Sequence, residues 1–218
     1  MPQLIIIRHG ETDWNRDAVF RGRVDLPLSA RGRDQARLLA AAFSGRPLAA
    51  LYASPLARAR ETAAPLAALP QRGQGRGGPP LITDDRFTDM SFGEWEGKPL
   101  SEVRDRWPDL YHTWVAEPER FRAPGGESLR DVLDRAWPAV VRIVSQHADA
   151  PAAIVSHRVV CKLILCAALG LGEAGFWRLR VDTASVSILA RDDAGWTLLR
   201  SNDTHHLQPL GEADPADF

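Results

Sequence analysis

The chain has 218 residues, with 27 Lys and Arg against 28 Asp and Glu and a formal net charge of -1. A chain of that length buries most of its apolar surface and folds without a metal or disulfide staple. Its 44% hydrophobic and 25% charged fractions are globular values that exclude a fibrous or disordered polymer. Near-zero net charge excludes a global grip on nucleic acid or anionic lipid, and leaves room only for a local basic pocket.

Two cysteines, Cys161 and Cys166, lie in one apolar stretch. They are too few and too close for a disulfide framework, so a reducing, cytoplasmic setting is expected. The apolar run at residues 4–7 follows no basic segment, and the run at 163–169 is far too short for a bilayer, so neither a signal peptide nor a membrane span is expected. Lys98 and Lys162 are the only lysines, so positive charge is almost all Arg. Arg suits phosphate binding, although a coding bias that also enriches Ala accounts for a typical Arg here.

Residues 4–7 are a continuous Ile-rich run, which reads as a buried strand. Ser29 is placed to cap a helix through Phe43, with Leu38, Leu39, Ala42 and Phe43 on one face. Residues 48–53 read as a second strand, after which Ser54 is expected to cap a helix with Pro55 in its first turn, running towards Leu69. Residues 70–80 (PQRGQGRGGPP) read as a flexible surface loop inside the domain. A short strand at 81–82 and helices at 100–114 and 128–147 follow. In the second of these, Leu129, Val132, Leu133, Ala136, Val140 and Ile143 fall at helical spacing, and Pro138 is expected to kink or break it. Then come a buried strand at 152–155, an apolar helix at 159–169 closed by Gly170, and a hairpin of 186–190 with 196–200. From Gln208 a poorly ordered tail is expected, leaving residues 1–207 as one domain. Strands alternating with helices predict an α/β three-layer sandwich, with a mostly parallel sheet and helices on both faces.

The polar residues fall at informative places. Arg8-His9-Gly10 follows the first strand, Ser156-His157-Arg158 follows a later one, and SPLARARET (residues 54–62) sets Arg58 and Arg60 just beyond the second. Ligands of open α/β sheets bind at that carboxyl edge, so two His and at least two Arg are expected to converge there. A lone His at a strand end is more often structural, and a lone Arg is usually solvated or salt-bridged. Their co-occurrence is what carries weight.

These segments belong to a longer ordered set. It comprises Arg8-His9-Gly10-Glu11-Thr12, Trp14-Asn15, Gly22, Asp25, Pro27-Leu28-Ser29, Gly32, Gln35-Ala36, SPLARARET, Phe92-Gly93-Glu94-Trp95-Glu96-Gly97, Gly126-Glu127-Ser128 and Ser156-His157. From about residue 4 to 207 the chain resembles the histidine phosphatase superfamily, also called phosphoglycerate mutase-like. The resemblance implies that His9 is the nucleophile and becomes a phosphohistidine. It implies that Arg8, Arg58 and His157 surround the phosphoryl oxygens with Asn15 as an added donor, and that an acidic residue ahead of Phe92 is the general acid. Glu127-Ser128 reads instead as a helix start.

The chemistry is coherent without the family. Phosphoryl transfer spreads negative charge over three equatorial oxygens, so positioning and cationic stabilisation dominate. Guanidinium forks match those oxygens. An imidazole with a reference pKa near ~6.5 is neutral enough to attack. A carboxylic acid protonates the leaving alkoxide and then activates water. No step calls for a metal or other cofactor.

Three positions depart from the family's pattern. Asp89 stands where Glu is common, one methylene shorter, with Asp84 and Asp85 as rivals and a loop or capping carboxylate as the bland alternative. Arg21 replaces a frequent Gln before Gly22, and Arg158-Val159 replaces a frequent Gly-Gly. If the first Gly takes positive φ, Arg158 must be strained or the backbone redirected. Arg21 and Arg158 either widen a cationic rim for a substrate with a carboxylate or second phosphate, or are ordinary surface arginines.

The remaining candidates point elsewhere. The stretch Asn202-Asp203-Thr204-His205-His206 reads as securing the C-terminal chain; His and Cys show no zinc spacing, and no P-loop occurs. The Trp residues lack the basic interleaving of a nucleic-acid platform. The expected function is therefore metal-independent hydrolysis of a small phosphate ester, with no nucleic acid or membrane partner. A phosphoglycerate mutase and a non-catalytic phosphoester-binding module are the alternatives. Sugar phosphates, phosphoglycerate derivatives, phosphoserine and α-ribazole phosphate all stay open as substrates, and oligomeric state is unread.

Overall fold

The computed structural model describes residues 1–70 and 77–211. Six strands, β1 (Gln3–Arg8), β2 (Ala50–Ala53), β3 (Leu81–Thr83), β4 (Ala152–Ser156), β5 (Val186–Asp192) and β6 (Gly195–Asp203), form one sheet in the order β3-β2-β4-β1-β5-β6. The β3-β2-β4-β1 part is parallel, and the β5-β6 hairpin closes it with β5 antiparallel to β1. The described helices are α1 (Asp13–Arg16), α2 (Ala30–Ala42), α3 (Ala57–Ala67), α4 (Leu100–Arg106), α5 (Pro108–Ala116), α6 (Leu129–Gln146) and α7 (Arg158–Ala168).

The unbroken apolar run of β1 has a two-sided explanation. Successive side chains of a strand point to opposite faces. Leu4 and Ile6 enter a core with Val140, Ile143 and Leu163 from α6 and α7. Ile5 and Ile7 enter the other core, with Leu39, Ala63 and Leu66 from α2 and α3. In β4, Ala152 and Ile154 divide from Ala153 and Val155 in the same way. A sheet buried on both faces demands strands of this kind, so the expected three-layer α/β sandwich is what forms.

Several local expectations change. Ser54 does not cap α3, whose N-cap is Leu56; its hydroxyl accepts instead from Leu56 N at 3.3 Å. The helix expected over 100–114 is two, because Pro108 begins α5 and forces Trp107 out of the helical region, to φ -134° and ψ 57°. Pro138 does not break α6, which runs continuously from a capping box of Ser128 and Asp131. Pro138 is exposed, so the carbonyl it leaves without a helical donor lies on the side reached by water. Gly170 closes α7 at φ +67° as its position suggests.

The expected loss of order from Gln208 does not begin there. Residues His205–Leu210 form a 3-10 turn, and Arg31 donates to the Leu210 carbonyl at 2.9 Å and that of Gly211 at 3.1 Å. The tip of the expected loop, 71–76, and the last residues, 212–218, lie outside the described residues. Among the described residues no helix is long and apolar enough to cross a membrane.

Candidate active site

Pairing of Arg8 with Ser156 in the parallel β1-β4 ladder sets His9 and His157 side by side, one step beyond the carboxyl ends of the two central strands. The connections diverge here, with α2 and α7 on opposite faces of the sheet, and such a divergence opens a crevice. The imidazole centroids are 5.1 Å apart. Both rings are fully buried.

His9 Nδ1 lies 2.6 Å from the Gly10 carbonyl. A carbonyl oxygen only accepts, so Nδ1 carries the proton and Nε2 keeps its lone pair. The His9 backbone is pinned on both sides, its N–H donating to Ser156 O at 2.8 Å and its carbonyl accepting from Ala184 N at 3.1 Å. Gly10 donates to the Thr62 hydroxyl at 2.9 Å. A Cβ at Gly10 would lie 2.7 Å from the Gly32 carbonyl, so only glycine allows α2 this close. Burial, followed by the charges of Arg58, Arg8 and Arg21, holds the His9 pKa well below 6.5. The ring is neutral at neutral pH, as a nucleophile requires.

His157 Nδ1 accepts from Arg58 Nε at 3.2 Å, which leaves Nε2 as the protonated nitrogen, donating to Ser54 Oγ at 2.7 Å. Burial is again the largest cause lowering its pKa, with Arg58 and His9 next. The Arg58 guanidinium, on the first turn of α3, has no exposed surface. It donates to the carbonyls of Val24 and Gly22, each at 2.8 Å, and to Asp89 Oδ2 at 3.2 Å. Burial lowers its pKa and Asp89 offsets part of that effect; a guanidinium stays charged nonetheless. Arg8, equally buried, donates to Val181 O at 2.8 Å.

Among the three rival carboxylates, the fold brings Asp89 to this place. Asp89 Oδ2 is 3.7 Å from His157 Nδ1, Oδ1 accepts from Met90 N at 2.9 Å, and the residue lines one small cavity with His9, Arg21, Gly22, Phe92 and Arg158. Asp84 is occupied elsewhere. Burial pushes its pKa up, but hydrogen bonds from Arg86 outweigh that and hold its carboxyl below the usual range. Asp85 is exposed, as is Arg60, which does not converge with Arg58.

The family model of the histidine phosphatase superfamily (branch 1) matches residues 4–204. The chain belongs to that superfamily. It is 33% identical to phosphoserine phosphatase 1 of Hydrogenobacter thermophilus over 207 residues, 95% of either chain. Among solved structures, YhfR of Bacillus stearothermophilus superposes with a TM-score of 0.86 at 31% identity, covering 94% of this chain and 99% of that one. A mycobacterial glucosyl-3-phosphoglycerate phosphatase, in complex with VO3, superposes with a TM-score of 0.82 at 28% identity, covering 94% and 100%.

In this histidine phosphatase the other expected residues are placed as follows. Asn15 is buried, with its Oδ1 accepting from Thr12 N and Thr12 Oγ1, both at 2.9 Å, as the partner in the capping box of α1. Arg21 donates to the Trp14 carbonyl at 3.0 Å. Arg158 is the first residue of α7, so the strain that a positive φ would impose does not arise. Asn202 accepts from Asp182 N at 2.7 Å and donates to Asp182 Oδ2 at 2.9 Å, tying the end of the sheet to the loop before β5. No group of three or more His, Cys, Asp or Glu among the described residues could hold a metal ion.

One clamp escaped sequence reasoning. Arg135, on α6, donates to the carbonyls of Arg86 at 2.7 Å and Asp89 at 3.1 Å. Its fork also meets both carboxylate oxygens of Glu127, at 3.1 and 3.2 Å, while Glu127 accepts from Ser91 N at 2.8 Å. Two residues therefore hold the backbone on either side of Asp89. Neither stands out in sequence, since Arg135 is one arginine of an Arg-rich chain and Glu127 reads as part of a helix start.

Proposed function

We propose that this phosphatase hydrolyses small phosphomonoesters through a phosphohistidine at His9. The observation that carries the proposal is the His9 Nδ1–Gly10 carbonyl hydrogen bond, which leaves the Nε2 lone pair free on a neutral ring that lines the same small cavity as Asp89. Nε2 attacks phosphorus as the bond to the ester oxygen breaks, and Arg8 and Arg58 take up the charge on the equatorial oxygens. A phosphoryl oxygen that replaces Asp89 on Arg58 Nη2 frees the Asp89 carboxyl, 3.2 Å away, to meet the leaving oxygen. Protonated Asp89 gives that oxygen its proton. The resulting carboxylate takes a proton from water, hydroxide attacks phosphorus, the N–P bond breaks, and phosphate departs with His9 and Asp89 restored.

The named relatives act on phosphoserine and glucosyl-3-phosphoglycerate, which supports a small phosphorylated metabolite as substrate. Hydrolysis of p-nitrophenyl phosphate is the test, with and without EDTA, for wild type and His9→Ala. Turnover that survives EDTA, disappears in His9→Ala and passes through an acid-labile phosphoprotein supports the mechanism. Equal turnover in the two proteins removes His9 from the role of nucleophile, and isomerised phosphoglycerate without phosphate release would turn the assignment to a mutase.

A further inference from the structure

Two arginines of the cavity wall have no part in that scheme. Arg21 and Arg158 are nearly buried, at 9% exposure each, and both line the small cavity beside His9 and Asp89. They come from distant parts of the chain, one from the loop after α1 and one from the first turn of α7. Each is held by the protein. Arg21 is oriented by the Trp14 carbonyl at 3.0 Å. Arg158 lies over the Trp177 ring, 5.6 Å from its centroid.

That indole is itself fixed. Trp177 Nε1 donates to the Trp114 carbonyl at 2.8 Å, and Lys162, one turn along α7 from Arg158, places its ammonium 4.5 Å from the same ring centroid. A cation seated on an aromatic face loses little freedom when it meets an anion, because its rotamers are already restricted. Lys162 lies against the same ring and, by like-charge repulsion, disfavours folding of Arg158 back along the helix.

Charge counting points the same way. Arg8, Arg58, Arg21 and Arg158 are four cations near the site; Asp89 and Asp25 both act on Arg58, and Asp89 as general acid is neutral at the moment of transfer. A phosphomonoester dianion offsets two of the four. Of these four, Arg21 and Arg158 line the small cavity itself, beside His9 and Asp89.

We propose that Arg21 and Arg158 form a second anion subsite, so that the preferred substrate is a phosphomonoester whose short alcohol part carries another anionic group. This rests on the phosphohistidine reading only for the place of the phosphoryl group. The ligand pair that tests it is 2-phosphoglycolate and ethyl phosphate, which share a two-carbon ester and differ by one carboxylate. Neither has a hydroxyl that could accept the phosphoryl group. Dissociation constants are measured by calorimetry on His9→Ala, where no turnover by the proposed route intervenes, and again with Arg158→Met or Arg21→Met added. Circular dichroism checks that each variant is folded.

Phosphoglycolate is expected to bind at least about tenfold more tightly than ethyl phosphate, the scale of one charge-assisted hydrogen bond. At least one added substitution should bring the ratio close to one. A ratio near one in His9→Ala, a ratio that neither arginine substitution lowers, or no measurable binding of either ester overturns the proposal. Turnover of ethyl phosphate by wild type and by His9→Ala is followed separately. Equal turnover there defeats the phosphohistidine reading and leaves the binding ratio to decide the subsite.

Discussion

Mild acid should destabilise this protein well before its carboxylates titrate. His9 and His157 are neutral in the folded state because burial and neighbouring arginines depress both pKa values well below 6.5. The unfolded rings titrate near 6.5. The folded values are lowered, so this stability is fully present above the unfolded pKa. It is lost as pH falls through that value, because only the unfolded chain takes up protons. Integrating the linkage slope from pH 6.5 to 5.5 gives about 1 kcal/mol per ring and about 2 kcal/mol for the pair, as long as both remain neutral in the fold. That is a visible part of a typical stability of about 5–15 kcal/mol. Asp84, Asp131 and Asp203, whose pKa values are lowered in the fold, act in the same direction only as pH nears the unfolded carboxylate range of about 4.

Urea unfolding at pH 7.5, 6.5 and 5.5 reads the effect, in buffers free of phosphate so that no bound anion shifts the equilibrium. His206, whose pKa burial also lowers, adds to the loss in the same window; the variant His157→Gln removes one titrating ring and should reduce the loss between pH 6.5 and 5.5 by about 1 kcal/mol. Stability that is flat across that interval, or a slope that His157→Gln leaves unchanged, refutes the assignment of two neutral buried rings.

Three further outcomes are expected. Asp89→Asn should lower turnover of alkyl phosphates by about 10²–10⁴-fold, the usual scale of general acid catalysis, while the first-turnover burst of p-nitrophenolate, which needs no proton, falls far less; equal losses would take Asp89 out of the acid role. Arg135→Met removes the clamp on Arg86 and Asp89 and leaves half-buried Glu127 without its main partner, at a cost of about 2–4 kcal/mol after allowing for partial exposure. Its kcat on alkyl esters should fall more than its p-nitrophenolate burst, whereas a purely scaffolding role moves both together. Pro138→Ala should stabilise by about 1–3 kcal/mol in urea unfolding, since it restores an N–H to the interior of α6 without touching the core.

Legibility from sequence followed the range of the interactions concerned. The run at residues 4–7 and the spacing of α6 are local periodicities, and Ser29 and Ser128 cap their helices within three residues of themselves, so all were readable. The caps and breaks that failed were those with competing claims. Ser54 faces a histidine 103 residues away, and Pro108 starts a helix that apolar spacing alone makes continuous with its predecessor.

The chain's own order of residues determined the three-layer sheet and the placing of His9, Arg58 and His157 after strand ends, because hydrophobic period and motif position are properties of short segments. Tertiary structure decided the rest. The β1-β4 register set the two histidines together, and the Gly10 carbonyl and Arg58 chose which nitrogen of each ring holds the proton. The fold brought Asp89, and not Asp84 or Asp85, against Arg58, and gave Arg21 and Arg158 one cavity to share. Apart from the His9–Gly10 hydrogen bond, those are contacts between residues dozens to more than a hundred positions apart, whose energies depend on distance and burial, and none of them exists until the sheet has closed.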